Sequence, residues 1–323
     1  MKPVIRVTGV GSYLPERVLT NDDLSRMVDT NDEWIKARTG ISKRHIAAEG
    51  ETTSDLGTIA AQRALEAAGV SASEIDLLIL ATATPDLTFP ATATMVQHKI
   101  GMGTGAAFDV GAVCSGFVFA LATADALMRN SGFQKALVVG AETFSRILDW
   151  SDRSTCVLFG DGAGAVVLEG DQAQDNETIG LLGHHLQTDG AHKDLLYVDG
   201  GPSATQTVGH LRMVGNQVFK HAVMNISGAV QSLLDKAGVA HDEVDWFVPH
   251  QANQRILDGV AKRLSIDSAK IVSTVSKHGN TSAASVPLAL SDAIADGRVK
   301  TGDLILTEAM GGGFAWGANL FRL

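Results

Sequence analysis

The chain is written twice. The stretch Leu65-Glu66-Ala67-Ala68-Gly69-Val70, followed by Ser71 to Asp76 and the apolar run Leu77 to Leu80, recurs as Leu234-Asp235-Lys236-Ala237-Gly238-Val239, then Ala240 to Asp245 and Trp246 to Val248. The offset is constant, since 234 − 65 and 245 − 76 both equal 169. Each copy reads as an amphipathic helix closed by a glycine (Gly69, Gly238), a short turn and a buried strand. The same offset carries Cys114 onto Ala283. The segments that follow, Ser115 to Met128 and Ala284 to Asp296, are small-residue, alanine-rich and almost uncharged, a pattern that predicts two helices buried on all sides. Lys135–Val139 is matched to Asp303–Thr307 as two further strands, and each half closes on a glycine turn and a last strand, Gly160 to Leu168 and Gly311 to Leu320.

Strands alternating with helices give mostly parallel sheets covered on both faces. Two halves, residues 1–171 and 172–323, would meet at the polar linker Asp171 to Asn176. A pseudo-twofold between them sets the two buried helices back to back between two sheets, with their N-termini converging on one cleft.

Composition narrows what such a fold does. Apolar residues make up 45% and charged residues 19%, enough for a large core and against disorder. No run reaches the roughly 18 apolar residues of a membrane helix. Met1 to Val7 lacks the long apolar region and small-residue cleavage site of a signal peptide, so a cytosolic protein with no membrane partner is expected. Two cysteines, Cys114 and Cys156, exclude a disulfide scaffold and cannot by themselves hold structural zinc. The net charge of −10 argues against nucleic acid, and any acidic partner then needs a local basic patch.

Chemistry concentrates at four places. In Phe108-Asp109-Val110-Gly111-Ala112-Val113-Cys114-Ser115-Gly116, a strand ends and Cys114 opens the first buried helix. Helix-start cysteines have pKa values lowered to roughly 3.5–7.5, so Cys114 is a candidate nucleophile. Cys156, in Thr155-Cys156-Val157-Leu158-Phe159, reads as the inert interior of a strand. His250 follows the strand Trp246 to Pro249, and strand C-terminal ends are where open αβ folds hold ligands. Asn280, in His278-Gly279-Asn280-Thr281-Ser282, precedes the second buried helix; it reads equally as an N-cap or as a group facing Cys114 across the cleft. Gly311-Gly312-Gly313 is either a tight turn or a place where backbone N–H groups approach a reacting carbonyl.

Three other patterns fail on context. Gly9-Val10-Gly11 lacks the third glycine of a dinucleotide fingerprint, and Gly160 to Gly164 runs into a strand with no following Lys-Ser/Thr. His184, His185 and His192 lack ligand spacing, so no metal is expected. Arg255, Lys262 and Arg263 share one helical face beside His250, either a solvated face or a dock for an acidic partner.

These motifs resemble the β-ketoacyl-acyl-carrier-protein synthase III family, the initiating condensing enzymes of dissociated fatty-acid synthesis. The resemblance spans the chain and is most specific at Cys114-Ser115-Gly116-Phe117, Val248 to Asn253, Gly279 to Ser285 and Gly311 to Gly317. Elongating ketosynthases carry a second histidine where this chain has Asn280, thiolases add a second reactive cysteine near the C-terminus, and plant-type polyketide synthases are longer. The resemblance implies a thiolase-like α/β fold of five layers, α-β-α-β-α, with two mixed sheets and two buried central helices. It also implies a ping-pong acyltransfer. Cys114 takes an acyl group, most simply from acetyl-CoA, with the thioester oxygen between the N–H groups of Cys114 and Gly312. His250 and Asn280 then stabilise the enolate formed as malonyl-acyl carrier protein loses CO2. A different or longer primer, in secondary metabolism, is the alternative.

By the same resemblance, Thr30, Trp34, Arg38, Arg153 and Asn253 line a CoA channel, with Trp34 and Arg153 bracketing adenine. Lys220, Arg255 and Lys262 contact the carrier protein, and Phe89 reaches the partner's pocket in a homodimer. Acyl-CoA is a substrate, and no cofactor is implied. From the residues alone, Thr30 to Glu33 reads as a capping box that puts Trp34 and Arg38 on one face of a helix.

Overall fold

The structure is a computed structural model that describes residues 3–171 and 179–323. Its first sheet holds five strands in the order β1-β7-β6-β4-β5, with β1 Val4–Tyr13, β4 Leu77–Ala81, β5 Ala106–Val110, β6 Lys135–Glu142 and β7 Gly162–Asp171. The second runs β11-β12-β13-β8, with β8 Gly180–Thr188, β11 Trp246–Pro249, β12 Leu304–Gly311 and β13 Ala315–Arg322. Both are mixed: β4 is parallel to β5 and β6, and β11 to β12, whereas the closing strands are antiparallel. Two small ribbons, β2 Arg17–Thr20 with β3 Lys43–Ile46 and β9 Leu196–Val198 with β10 Leu211–Met213, flank them.

Alternation along the strands builds five layers. Leu78 and Leu80 of β4 face α3 (Thr53–Ala68) and α4 (Thr92–Ile100) on the outside. Leu77 and Ile79 face inward on α5 (Gly116–Ser131) and α9 (Ser285–Ala295). On the other side, Ile305 of β12 faces the same central pair, while Leu304 and Leu306 face α6 (Gly215–Ala237) and α7 (Gln254–Leu264). The central helices are small-residue because each packs against sheet on one side and its mate on the other. Alanines such as Ala120, Ala124, Ala289 and Ala293 are fully buried there.

Secondary structure repeats at the offset read from the sequence. Helices α3 and α6 end at Ala68 and Ala237 and are closed by Gly69 and Gly238 at φ 66° and 68°. The 3-10 turns Val113–Ser115 and Ser282–Ala284 lead into α5 and α9, and 282 − 113 is again 169. Even their strain repeats, because Val113 and Ser282 both sit at φ 49°.

Three local expectations need correction. Lys135–Val139 pairs with residues 304–308, one later than expected, since β6 and β12 start at Lys135 and Leu304. Cys156 lies in a stack of turns, not in a strand, because the Asp152 carboxylate accepts from the Ser154 N–H and the Thr155 hydroxyl and bends the chain there. The cap of α2 (Asp32–Thr39) is Asn31, whose side chain accepts from the Trp34 N–H at 2.7 Å; Thr30 precedes it and makes no such box. The linker Asp171 to Asn176 falls on residues 172–178 apart from Asp171, and so lies outside the described residues.

Candidate active site

Cys114, His250 and Asn280 line one cavity of about 450 Å³, with Met310 of β12 beside them. Each is held by a different device. Cys114 stands in the strained 3-10 turn, against Gly311 at the end of β12. A Cβ on Gly311 would lie 2.7 Å from the Cys114 nitrogen, so only glycine lets the turn approach. His250 leaves the end of β11 with its backbone N–H donated to the Glu308 carbonyl at 2.8 Å. The buried amide of Gln251 fixes the next turn, donating to the Pro249 and Val272 carbonyls and accepting from the Thr274 N–H. Asn280 is stitched to the loop before β7, its N–H on the Leu158 carbonyl and its carbonyl on the Gly160 N–H. Its side-chain Oδ1 accepts from the Ser282 N–H at 2.9 Å, which leaves the amide NH2 as a donor.

The electrostatics depart from one expectation. Burial, aided by the Glu142 carboxyl, pushes the Cys114 thiol up to about 12, with Ser282 opposing. A helix start was expected to lower it. Here Cys114 is only 4% exposed, and desolvation of the thiolate outweighs the N–H groups. Burial also lowers His250 to about 3, so the imidazole is neutral at neutral pH. The resting cleft therefore holds a neutral thiol, a neutral imidazole and an amide. Glu142, raised to about 7 by burial, accepts from the Thr84 hydroxyl at 2.6 Å and from the N–H groups of Ala83 and Ala283.

Arg38, Lys220, Asn253 and Arg255 line the same cavity. Asn253 also caps α7 through Ile256 N–H, and Arg255 and Lys262 project from that helix as exposed groups. Arg38 and Arg153 both stand over the Trp34 ring, 4.7 and 5.4 Å from its centroid, and Arg153 is tied to Asp29. Trp34, Arg153, Thr30, Lys262, Gly312 and Phe89 do not line the cavity. Phe89 is 82% exposed, and Gly312 packs under the Leu196 carbonyl. Glu142 and Ser285 escaped the sequence reading, although Ser285 sits inside the Gly279 to Ser285 motif and Glu142 matches Gly311 at the same offset. His184 is bound between Asp125 and Asn319, and no cluster of metal-binding groups is found among the described residues. Among them, no helix is long and apolar enough to cross a membrane.

Comparison with known proteins identifies the family. Residues 108–190 match the family model described as 3-oxoacyl-[acyl-carrier-protein (ACP)] synthase III, and residues 234–323 match the model of its C-terminal region. The chain is 66% identical to the β-ketoacyl-[acyl-carrier-protein] synthase III of Hyphomonas neptunium and 61% identical to that of Rhodospirillum centenum, each over 98% of both chains. Its fold superposes on the crystal structure of 3-oxoacyl-[acyl-carrier-protein] synthase III from Aquifex aeolicus with a TM-score of 0.92 and 46% identity, over 99% of this chain and 100% of that one. By these matches over nearly its whole length, the chain belongs to the β-ketoacyl-[acyl-carrier-protein] synthase III family.

Proposed function

We propose that the cleft carries out the family's acyl-transferring condensation, the initiating step of fatty-acid synthesis, with Cys114, His250 and Asn280 as its catalytic residues. The observation that carries this assignment is their convergence on one cavity. Cys114 attacks the thioester carbonyl of an acyl-CoA, most simply acetyl-CoA. The carbon–sulfur bond to CoA breaks, and the thiol proton leaves on the CoA sulfur. Thiol is exchanged for thiol, so a thiol that rests protonated is no obstacle. The Cys114 N–H, at the cavity wall, is assigned to the developing oxyanion, and the resemblance adds the N–H of Gly312, which stands outside the lining but next to the Gly311 that meets the Cys114 turn. Malonyl-acyl carrier protein follows. His250 and Asn280 donate to its thioester carbonyl, the malonyl carbon–carbon bond breaks as CO2 departs, and the enolate carbon attacks the acyl-cysteine carbonyl. The carbon–sulfur bond to Cys114 breaks, the 3-oxoacyl product stays on the carrier protein, and the released thiolate takes a proton from solvent. Two neutral donors suit this step, because they stabilise charge on oxygen without protonating carbon.

Thr30, Trp34, Arg38, Arg153 and Asn253 are assigned to CoA, and Lys220, Arg255 and Lys262 to the acidic carrier protein, which gives the local basic patch that a chain of charge −10 needs. The two halves are residues 1–171 and 172–323. A cytoplasmic homodimer is the expected form. Strand β5 supports it, since it is one of the two edges of the first sheet and pairs only with β4 among the described residues, and Phe89, exposed, is the side chain assigned to the partner's pocket. No cofactor enters this scheme. The test is incubation with radiolabelled acetyl-CoA followed by peptide mapping. Label on Cys114 is expected, and folded protein that leaves Cys114 unlabelled sinks the scheme.

A further inference from the structure

We propose that Ser285 is a positioning residue that holds His250 with its single ring proton on Nε2. This rests on the reading of His250 as a hydrogen-bond donor to the malonyl thioester. A neutral imidazole carries one N–H, and its partner on the other nitrogen decides which. In this structure Nδ1 of His250 contacts the Ser285 hydroxyl, which is itself buried at the first position of α9. That hydroxyl oxygen already accepts the Gln251 N–H at 3.3 Å. Its own hydrogen has one acceptor within reach among the described residues, and that is Nδ1. A proton on Nδ1 would leave the serine hydrogen buried without an acceptor, an arrangement proteins avoid. The serine therefore donates, and the ring proton sits on Nε2, the nitrogen left for the cavity that His250 lines.

The other half of the chain shows that the serine is not needed to build the turn. Subtracting 169 from 250 and 285 gives Ala81 and Gly116, and a Cβ on Gly116 would lie 3.0 Å from that of Ala81. The same juxtaposition thus exists there without a polar atom. Histidine and serine occur together only where the cleft needs a donor. Asn280 is treated alike, with its oxygen occupied by the Ser282 N–H and its NH2 left outward.

The experiment is a long-range 1H–15N spectrum of histidine-labelled protein, with His250 assigned by the loss of its signals in His250→Gln. The wild type is expected to show the Nε2–H pattern, Ser285→Ala a mixture with Nδ1–H, and Ser285→Thr the wild-type pattern. In Ser285→Ala, decarboxylation of a malonyl thioester should fall about 10- to 100-fold, short of the 10²–10³ lost with an outright donor, and further than Cys114 acylation falls. Ser285→Thr should recover most of it. A wild-type Nδ1–H pattern overturns the proposal without needing any variant to fold. So does a pure Nε2–H pattern in Ser285→Ala, or equal loss in both half-reactions. Failure of Cys114 to take up acetyl label would instead remove the reading of the cleft and leave the tautomer standing.

Discussion

The two halves place different side chains on the same backbone. At the common offset of 169, Ala81 answers His250, Gly111 answers Asn280, Cys114 answers Ala283, Gly116 answers Ser285 and Glu142 answers Gly311. Each strained turn faces the final residue of the other half's strand. The turn with the nucleophile meets Gly311 and is pressed close. The turn without one meets Glu142, which accepts the Ala283 N–H. A duplicated scaffold thus supplies two equivalent corners, and the proposed chemistry divides between them. The first corner gives the thiol, and the second gives both donors and their supports.

Breaking the division at its centre has the largest effect. Asn280→Ala removes the donor proposed for the enolate, and decarboxylation should fall about 10²–10³-fold while Cys114 acylation falls less. Equal losses measured in the two half-reactions would argue against the assigned role. Gly311→Ala puts a carbon 2.7 Å from the Cys114 nitrogen and moves the nucleophile turn. A shift of order 1 Å costs about 10²-fold, so acylation is the half-reaction expected to suffer. Retained acylation in a stopped-flow assay would mean that the close approach is incidental.

Smaller effects sharpen the picture. Arg255→Glu should raise KM for malonyl-acyl carrier protein about tenfold and more than it changes acyl transfer from CoA, because charge at a rim acts on encounter. Salt titration of the carrier-dependent rate checks it. Glu142→Gln should alter the pH dependence of stability. Burial raises the folded carboxyl from 4.5 to about 7, so the folded state binds the extra proton in that window. Its stabilisation is full below pH 4.5 and is lost as pH rises through about 7. The variant lacks that slope, which unfolding midpoints measured at pH 5 and 8 reveal.

Local pattern carried far in this chain, and non-local contact marks where it stopped. The buried helices were legible because small residues at every face leave no solvated side, and the offset was legible because the terminating glycines repeat. Thr155 to Phe159 looked like a strand on β-branched and aromatic content, yet the Asp152 carboxylate turned it. The Cys114 thiol was misjudged because helix position is local, whereas the burial and the Glu142 carboxyl that raise it come from the fold. Ser285 was in view, but its partner His250 lies 35 residues away and only the folded contact shows which nitrogen it takes.

The left-handed Val113 and Ser282 bear on where the strain of the site comes from. A branched residue at positive φ is costly, of order 1–3 kcal/mol, and active sites are where such strain is usually explained by function. Here the second copy keeps the angle although no nucleophile follows it. The strain therefore goes with the repeated architecture of two turns meeting end to end, whether or not a nucleophile follows. Side chains at two such corners can therefore differ completely while the chain path stays the same.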